Sequence, residues 1–138
     1  MMNNKKLLIQ DSQRAIEHFA NELDFSINPD GLKYIIDSSK DIQIKIIDVR
    51  REELFYKSHI PGAINIPFDK YNSFNCNDTE FHQLSRYSYN YVYCYSLLCK
   101  LGKQACLKFA SLGYPVKEMQ GGFEYWLDYG YLTDTKPL

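Results

Sequence analysis

The residues best placed to do chemistry are thiols, and one of them lies at a junction between two elements. Cys94 ends a run with the alternation of a strand, and helical periodicity begins within about four residues of it. Backbone N–H groups at such a junction can converge on an anionic sulfur and lower a cysteine pKa toward roughly 3.5 to 7.5. The chemistry predicted for Cys94 is therefore nucleophilic attack by a thiolate. The alternative is an inert thiol that fills space at a strand end.

The elements that position Cys94 are visible in the spacing of its neighbours. Tyrosines occupy every second position over 87–95, which predicts a strand with the tyrosines on one face and Val92 and Cys94 on the other. We interpret the tyrosine face as packing beneath helices. Apolar residues then recur at helical spacing over 98–112, and Gly113 is typical of a helix C-terminus.

The rest of the chain alternates between strand and helix patterns. Predicted helices cover Asp11–Leu23, Pro29–Ser38, Arg51–Ser58 and Phe123–Tyr129, predicted strands cover Phe25–Ile27, Ile42–Val49, Ala63–Ile66 and Pro115–Met119, and Asp69–Ser88 is predicted as a helix and loops. This order predicts one α/β domain with a mostly parallel central sheet of about five strands, helices on both faces and an N-terminal helix packed against it. Ligands of such sheets bind beyond the carboxyl ends of the strands, where Cys94 is expected.

Composition excludes several classes of protein. The length of 138 residues suits one domain, and a net charge of −1 gives no electrostatic footprint for nucleic acid. The apolar run Leu7–Ile9 is too short for a signal peptide, and no run approaches the roughly 18 residues of a membrane span. We predict a cytoplasmic protein with no nucleic-acid or membrane partner and with reduced cysteines. Zinc-ligand spacing is absent, so no metal or other cofactor is expected.

Three motifs resemble those of rhodanese-like domains. The first is Ile47-Asp48-Val49-Arg50 followed by His59-Ile60-Pro61-Gly62-Ala63-Ile64-Asn65-Ile66-Pro67, the second is Tyr91-Val92-Tyr93-Cys94 before a loop and helix, and the third is Gly121-Gly122-Phe123-Glu124-Tyr125-Trp126. They follow one another in the family's order. The resemblance implies a single rhodanese-like domain over 25–134, with an N-terminal helical extension over 1–24 and a tail over 135–138.

The same resemblance implies a sulfurtransferase in which Cys94 carries a persulfide. Sulfane sulfur would pass from a small donor, of thiosulfate or 3-mercaptopyruvate type, to a thiol or other nucleophile, which can belong to a protein. The implied active-site and substrate-binding loop comprises Tyr95, Ser96, Leu97, Leu98, Cys99 and Lys100. Asp48 and Arg50 are implied to support the site by orienting loops through hydrogen bonds. The oligomeric state stays open.

The loop departs from the usual family pattern, which has a glycine near its middle and an arginine five positions after the cysteine. Cys99 stands at the arginine position, so a guanidinium fork for an anionic donor is missing. Lys100 either supplies the charge or is merely solvated. Related cysteine phosphatases need an arginine where this chain has Lys100, so phosphatase activity is not expected.

Two other functions remain open at the level of sequence. Some rhodanese-like domains act as non-catalytic binding or regulatory modules. A dithiol redox protein is the second alternative, because Cys99 could attack a persulfide or sulfenic acid on Cys94 and form a disulfide if the two Cα atoms lie within about 7 Å. Cys99 could equally be a helix residue that packs inward. Cys106 is predicted in a helix core and Cys76 in a loop.

Overall fold

The computed structural model describes residues 4–38, 44–68 and 78–136. Its elements are α1 (Asn4–Phe25), β1 (Ser26–Ile27), α2 (Pro29–Ser38), β2 (Lys45–Asp48), α3 (Glu52–Lys57), β3 (Ile64–Asn65), β4 (Asn90–Tyr93), α4 (Leu101–Ser111), β5 (Val116–Met119) and α5 (Gly122–Asp128). A short 3-10 helix, Asp78–Gln83, precedes β4. This alternation confirms the predicted α/β class.

The strands of the described chain form one sheet in the order β1-β5-β4-β2-β3, and every pairing in it is parallel. Parallel neighbours need crossover connections, which the helices provide. In the register of the central strand β4, Tyr93 lies opposite Asp48 of β2, and Val92 lies opposite Glu118 of β5. The carboxyl ends of these three strands therefore meet at one edge, where ligands of such sheets bind.

Apolar side chains pack against both faces of the sheet. The cluster beneath α4 comprises Ile47, Val49, Ile66, Phe68, Phe81, Leu84, Val92, Cys94, Ala105, Phe109, Tyr114 and Val116. The cluster beneath α2 and α5 comprises Leu32, Ile46, Ile60, Tyr91, Tyr93, Met119, Phe123 and Trp126. A strand covered on both sides needs adjacent apolar residues, which Ile46 and Ile47 supply in β2 and 91–93 supply in β4. The predicted placement of helices on both faces is confirmed.

Helix α2 begins where local chemistry dictates. The side-chain Oδ1 of Asn28 accepts a hydrogen bond of 2.7 Å from the N–H of Gly31, which caps the helix. Pro29 follows at the first helical position, where a missing N–H removes no helical bond. The predicted and observed bounds, Pro29–Ser38, coincide.

The N-terminal helix differs from its prediction in extent and in burial. It spans 4–25 rather than 11–23, because most of the residues at 5–10 are good helix formers that extend it. None of its residues is buried, and Ile16 and Leu23 are 68% and 82% exposed. Helix α1 contacts β1 and β5, so it lies against the domain as predicted, although its large apolar side chains stay exposed. No helix in the described part of the chain is long and apolar enough to cross a membrane.

The tyrosine stripe is confirmed only in its middle. Tyr91 and Tyr93 lie within β4 and are buried beneath α2 and α5 as predicted. Tyr87 precedes the strand and is fully exposed. Tyr95 packs against the opposite cluster, beneath α4, because the chain leaves the sheet after Tyr93 and the alternation of faces ends there.

Two predictions fall partly outside the described residues. Strand β2 lies inside the predicted range 42–49, of which residues 42 and 43 are not described. The predicted helix and loops over 69–88 include residues 69–77, which are not described, and Cys76 is one of them. The other strands and helices lie within about three residues of their predicted bounds, a usual margin for element ends.

Candidate active site

Cys94 directly follows β4 and lies at the carboxyl edge of the sheet, where the loop to α4 begins. It is 3% exposed and lines a cavity of about 170 Å³. Such a volume is large enough for several water molecules or one small solute. The nucleophile predicted from the sequence therefore borders a space that a small molecule can occupy.

The surroundings of the Cys94 thiol favour its protonated form. Its Sγ lies 3.7 Å from the carbonyl oxygen of Cys99 and 4.0 Å from that of Ser96. Burial, followed by the hydrogen bond and charge interaction with the Cys99 thiol, raises the pKa of Cys94 to about 12, while backbone hydrogen bonds from Gly102 and Ser96 act in the opposite direction. The predicted lowering of this pKa is wrong, because burial outweighs the backbone groups and the loop turns carbonyl oxygens toward the sulfur.

Three of the six predicted loop residues line the cavity together with Cys94. They are Ser96, Leu97 and Cys99. The N–H of Cys99 donates to the carbonyl oxygen of Ser96 at 3.2 Å, and this turn brings Cys99 back toward Cys94. The two thiols interact directly, and both are free. Cys99 thus packs inward beside Cys94, as both the resolving-thiol and the packing interpretations of Cys99 require.

The other three predicted loop residues do not line the cavity. The hydroxyl oxygen of Tyr95 accepts a hydrogen bond of 3.1 Å from the N–H of Arg51, which joins the loop to the segment after β2. Leu98 and Lys100 are exposed and border a separate groove along α4. The lysine that lines the cavity is Lys103, one helical turn further along. The structure supports the solvated interpretation of Lys100.

The start of α5 is hydrogen-bonded to the loop that contains Cys94. The N–H of Phe123 donates to the carbonyl oxygen of Cys94 at 2.9 Å, and the N–H of Glu124 donates to the next carbonyl at 3.1 Å. Gly122 permits this approach, since its φ is +66° and a Cβ there would lie 2.6 Å from the backbone nitrogen of Ser96. The Gly-Gly motif therefore holds the loop in place. Its N–H donors bind carbonyl groups and not the sulfur.

Three charged side chains from separate elements also line the cavity, and none of them is predicted from the sequence. Glu118 on β5 and Lys103 on α4 form an ion pair with 2.6 Å between Oε1 and Nζ, and Glu22 comes from α1. The hydrogen bond that Lys103 donates to Glu118 raises the pKa of Lys103. Glu118 had one usable signal, because it stands next to the end of the last predicted strand. The sequence carries no such signal for Glu22 or Lys103, because tertiary packing decides which face of a helix lines the cavity.

The two predicted supporting residues form a buried ion pair at the end of β2. Nη2 of Arg50 lies 2.8 Å from Oδ2 of Asp48 and also donates to the carbonyl oxygen of Ser58 at 2.6 Å. The hydroxyl of Tyr93 donates to the same Asp48 oxygen at 2.7 Å and accepts from the N–H of Ile60 at 3.1 Å. Neither Asp48 nor Arg50 lines the cavity. Their bonds join the ends of β2 and β4 to the segment before β3.

Comparison with solved structures gives the fold a wider context. Protein BH2092 from Bacillus halodurans superposes with a TM-score of 0.76 at 31% identity, over 90% of this chain and 86% of that one. A rhodanese-like domain protein from Staphylococcus aureus gives a TM-score of 0.63 at 22% identity, over 81% of this chain and 98% of that one. At the lower identity the similarity concerns the fold alone.

Sequence comparisons also find similarity to proteins of known family. The adenylyltransferase and sulfurtransferase UBA4 of Meyerozyma guilliermondii is 33% identical over 85 residues, which are 59% of this chain and 19% of that protein. The chain thus matches about a fifth of the length of this curated relative. The family model for the rhodanese-like domain matches residues 29–129, which include Cys94 and all three sequence motifs. The chain therefore belongs to the rhodanese-like domain family.

Proposed function

We propose that this protein is a sulfurtransferase that carries sulfane sulfur as a persulfide on Cys94. The observation behind the proposal is the position of Cys94, a buried thiol beyond the carboxyl end of the central strand that lines a cavity of about 170 Å³. Membership of the rhodanese-like family supports it. So does the partial similarity to UBA4, whose name includes sulfurtransferase activity.

The proposed reaction consists of two displacements at sulfur. The Cys94 thiolate attacks the outer sulfur of the donor, a new S–S bond forms, and the bond from that sulfur to the rest of the donor breaks with its electron pair. An acceptor thiolate or other nucleophile then attacks the outer sulfur of the persulfide. The Cys94 thiolate leaves in this second step, so the enzyme returns to its starting state without an external oxidant or reductant.

We expect incubation with the methanethiosulfonate anion or with 3-mercaptopyruvate, at about pH 9 to increase the thiolate fraction, to add the mass of one sulfur atom to Cys94. Intact mass spectrometry and fragmentation of the peptide that contains Cys94 measure the adduct. Cys94→Ser abolishes it because the nucleophile is gone. Cys106→Ser is the matched control, since Cys106 is a free thiol on α4 that does not line the cavity.

Three outcomes would count against this function. An adduct that persists at full yield in Cys94→Ser would assign the chemistry to another thiol. Absence of any adduct and of any disulfide in the unmodified protein would favour a non-catalytic binding or regulatory module. Loss of the adduct in Cys106→Ser but not in Cys94→Ser would assign the role to Cys106.

The approach of Cys94 Sγ to within 3.7 Å of the Cys99 carbonyl oxygen, together with the interaction of the two thiols, favours a second candidate, a dithiol redox protein. In this chemistry the Cys99 thiolate attacks Sγ of a Cys94 persulfide, the Cys94–Cys99 disulfide forms, and hydrosulfide leaves with the electron pair of the broken S–S bond. A reducing thiol would then regenerate the two free cysteines.

For this candidate we expect one equivalent of hydrosulfide and one disulfide per persulfide formed in the unmodified protein. Cys99→Ser retains the persulfide and releases no hydrosulfide, because the resolving thiol is absent. Thiol titration before and after reductant, together with a hydrosulfide assay, measures both products. A persulfide equally long-lived in the unmodified protein and in Cys99→Ser would exclude the dithiol mechanism.

A further inference from the structure

The charges around the cavity sum to a negative value. Glu22, Lys103 and Glu118 all line it, and Lys103 is paired with Glu118. The neighbour of Glu22 is His18, whose Nε2 lies 3.6 Å from the Glu22 carboxylate across one turn of α1. With His18 counted as neutral, the three cavity side chains carry one net negative charge. Lys103 forms its ion pair with Glu118 and interacts with Glu22 through charge alone.

The carboxylate of Glu118 lies beside the N-terminus of α4, a position whose helix dipole would otherwise favour an anionic donor. Gly102 lies in the first turn of α4, and a Cβ built there would be 2.7 Å from Oε2 of Glu118 and 3.4 Å from Sγ of Cys94. Carboxylate and sulfur thus face the same point beside the positive end of the α4 dipole. The Glu118 side chain is only 15% exposed, so solvent screens its charge less than that of a surface carboxylate.

We infer that Glu22 and Glu118 make this cavity select sulfur donors that carry an ammonium group and no net charge, and disfavour dianions such as thiosulfate. The inference rests on the proposed persulfide function of Cys94 and specifies its substrate class. A dianion meets two carboxylates and one lysine that is already paired, whereas an ammonium group can pair with Glu22. Among the described residues that line the cavity there is no arginine to hold an anionic donor, and Cys99 stands at the loop position where an arginine would do so.

Three donors of similar chemistry differ mainly in charge and supply a direct test. Thiosulfate is a dianion, methanethiosulfonate is a monoanion, and 2-aminoethanethiosulfonate has no net charge because its ammonium balances the sulfur anion. In each case the Cys94 thiolate bonds to the outer sulfur, and the bond to the sulfonyl sulfur breaks. Sulfite or a sulfinate leaves with the electron pair, and the charge is the same on both sides of the reaction.

The rate of persulfide formation at Cys94 is measured by mass spectrometry with each donor, at an ionic strength of about 0.01 M so that screening is weak. Each rate is divided by the rate for the same chain unfolded in urea, which removes the intrinsic reactivity of the donor. For the unmodified protein we expect the normalised rate with 2-aminoethanethiosulfonate to exceed that with thiosulfate by about tenfold or more.

The variants are compared by the ratio of the normalised rate with thiosulfate to that with 2-aminoethanethiosulfonate. A change in the reactivity of the Cys94 thiol alters both rates equally and therefore cancels in the ratio. Glu118→Gln raises the rate with thiosulfate, relative to the rate with 2-aminoethanethiosulfonate, by about tenfold. Glu22→Gln raises the same ratio by only about threefold, because Glu22 is more exposed and solvent screens its charge. Glu17→Gln, on α1 but not lining the cavity, leaves the ratio unchanged. If circular dichroism shows that Glu118→Gln does not fold, Glu22→Gln provides the test instead, because Glu22 lies on an exposed helix where the substitution should not disturb folding.

The outcomes separate the inference from the function on which it rests. Equal normalised rates for the three donors, a faster rate with thiosulfate, or a ratio that neither Glu118→Gln nor Glu22→Gln changes would overturn the inference and leave the persulfide function intact. No adduct on Cys94 with any of the three donors would overturn both.

Discussion

Replacing Asp48 with asparagine is expected to lower the free energy of unfolding by about 3 to 5 kcal/mol, the range for breaking a buried ion pair by removing one partner. Asp48 is fully buried and Arg50 is 4% exposed, so water cannot replace the lost charge. The Asp48 carboxylate accepts bonds from Nε and Nη2 of Arg50 and from the Arg50 backbone N–H. Asparagine keeps the volume of the side chain, so the loss reports the uncompensated Arg50 charge and its hydrogen bonds.

Urea unfolding followed by circular dichroism measures the effect, and Tyr93→Phe is the matched comparison. Burial raises the pKa of Tyr93 well above its ordinary value, so its hydroxyl stays protonated and donates to Asp48. Removing that hydroxyl should cost about 1 to 3 kcal/mol, because the N–H of Ile60 loses its acceptor as well. A loss below about 1 kcal/mol for Asp48→Asn would show that Arg50 does not depend on this carboxylate.

The elements that the sequence predicted well are those whose ends carry a local chemical marker. Asn28 and Pro29 fix the start of α2, and Gly113, with φ of +89°, follows the end of α4. The predicted start of α4 at residue 98 is too early, because the residues before Leu101 form a turn and not a helix. Length and periodicity alone could not predict that α1 leaves its apolar residues exposed, because burial depends on what packs against a helix.

The position of Cys94 in the fold could be predicted from the sequence, whereas the electrostatics around it could not. The position of Cys94 followed from a strand pattern that gives way to a helix, and the structure has both elements there. The direction of its pKa shift depends on which backbone groups face the sulfur, and spacing does not encode that orientation. Glu22 and Glu118 reach the same cavity from elements far apart in the chain, so their meeting is a tertiary effect.

The second large effect expected is on the pH dependence of Cys94 alkylation. Because burial and the Cys99 thiol raise the pKa of Cys94 to about 12, its thiolate fraction is small at neutral pH. We expect the alkylation rate to increase about tenfold per pH unit, or roughly a thousandfold between about pH 7 and pH 10, without a plateau. Iodoacetamide labelling over that range, with fragmentation to separate Cys94 from Cys99, measures the profile.

The same chain unfolded in urea provides the control, because exposed cysteines titrate near an ordinary pKa of about 8.5 and their rates level off above it. Burial also slows access of the reagent, but that lowers the whole native profile and leaves its slope unchanged. A native plateau at about pH 6 to 7 would instead show that the loop stabilises the thiolate. If the steep profile is observed, persulfide formation should follow it, because proton loss from Cys94 then limits the first step of sulfur transfer.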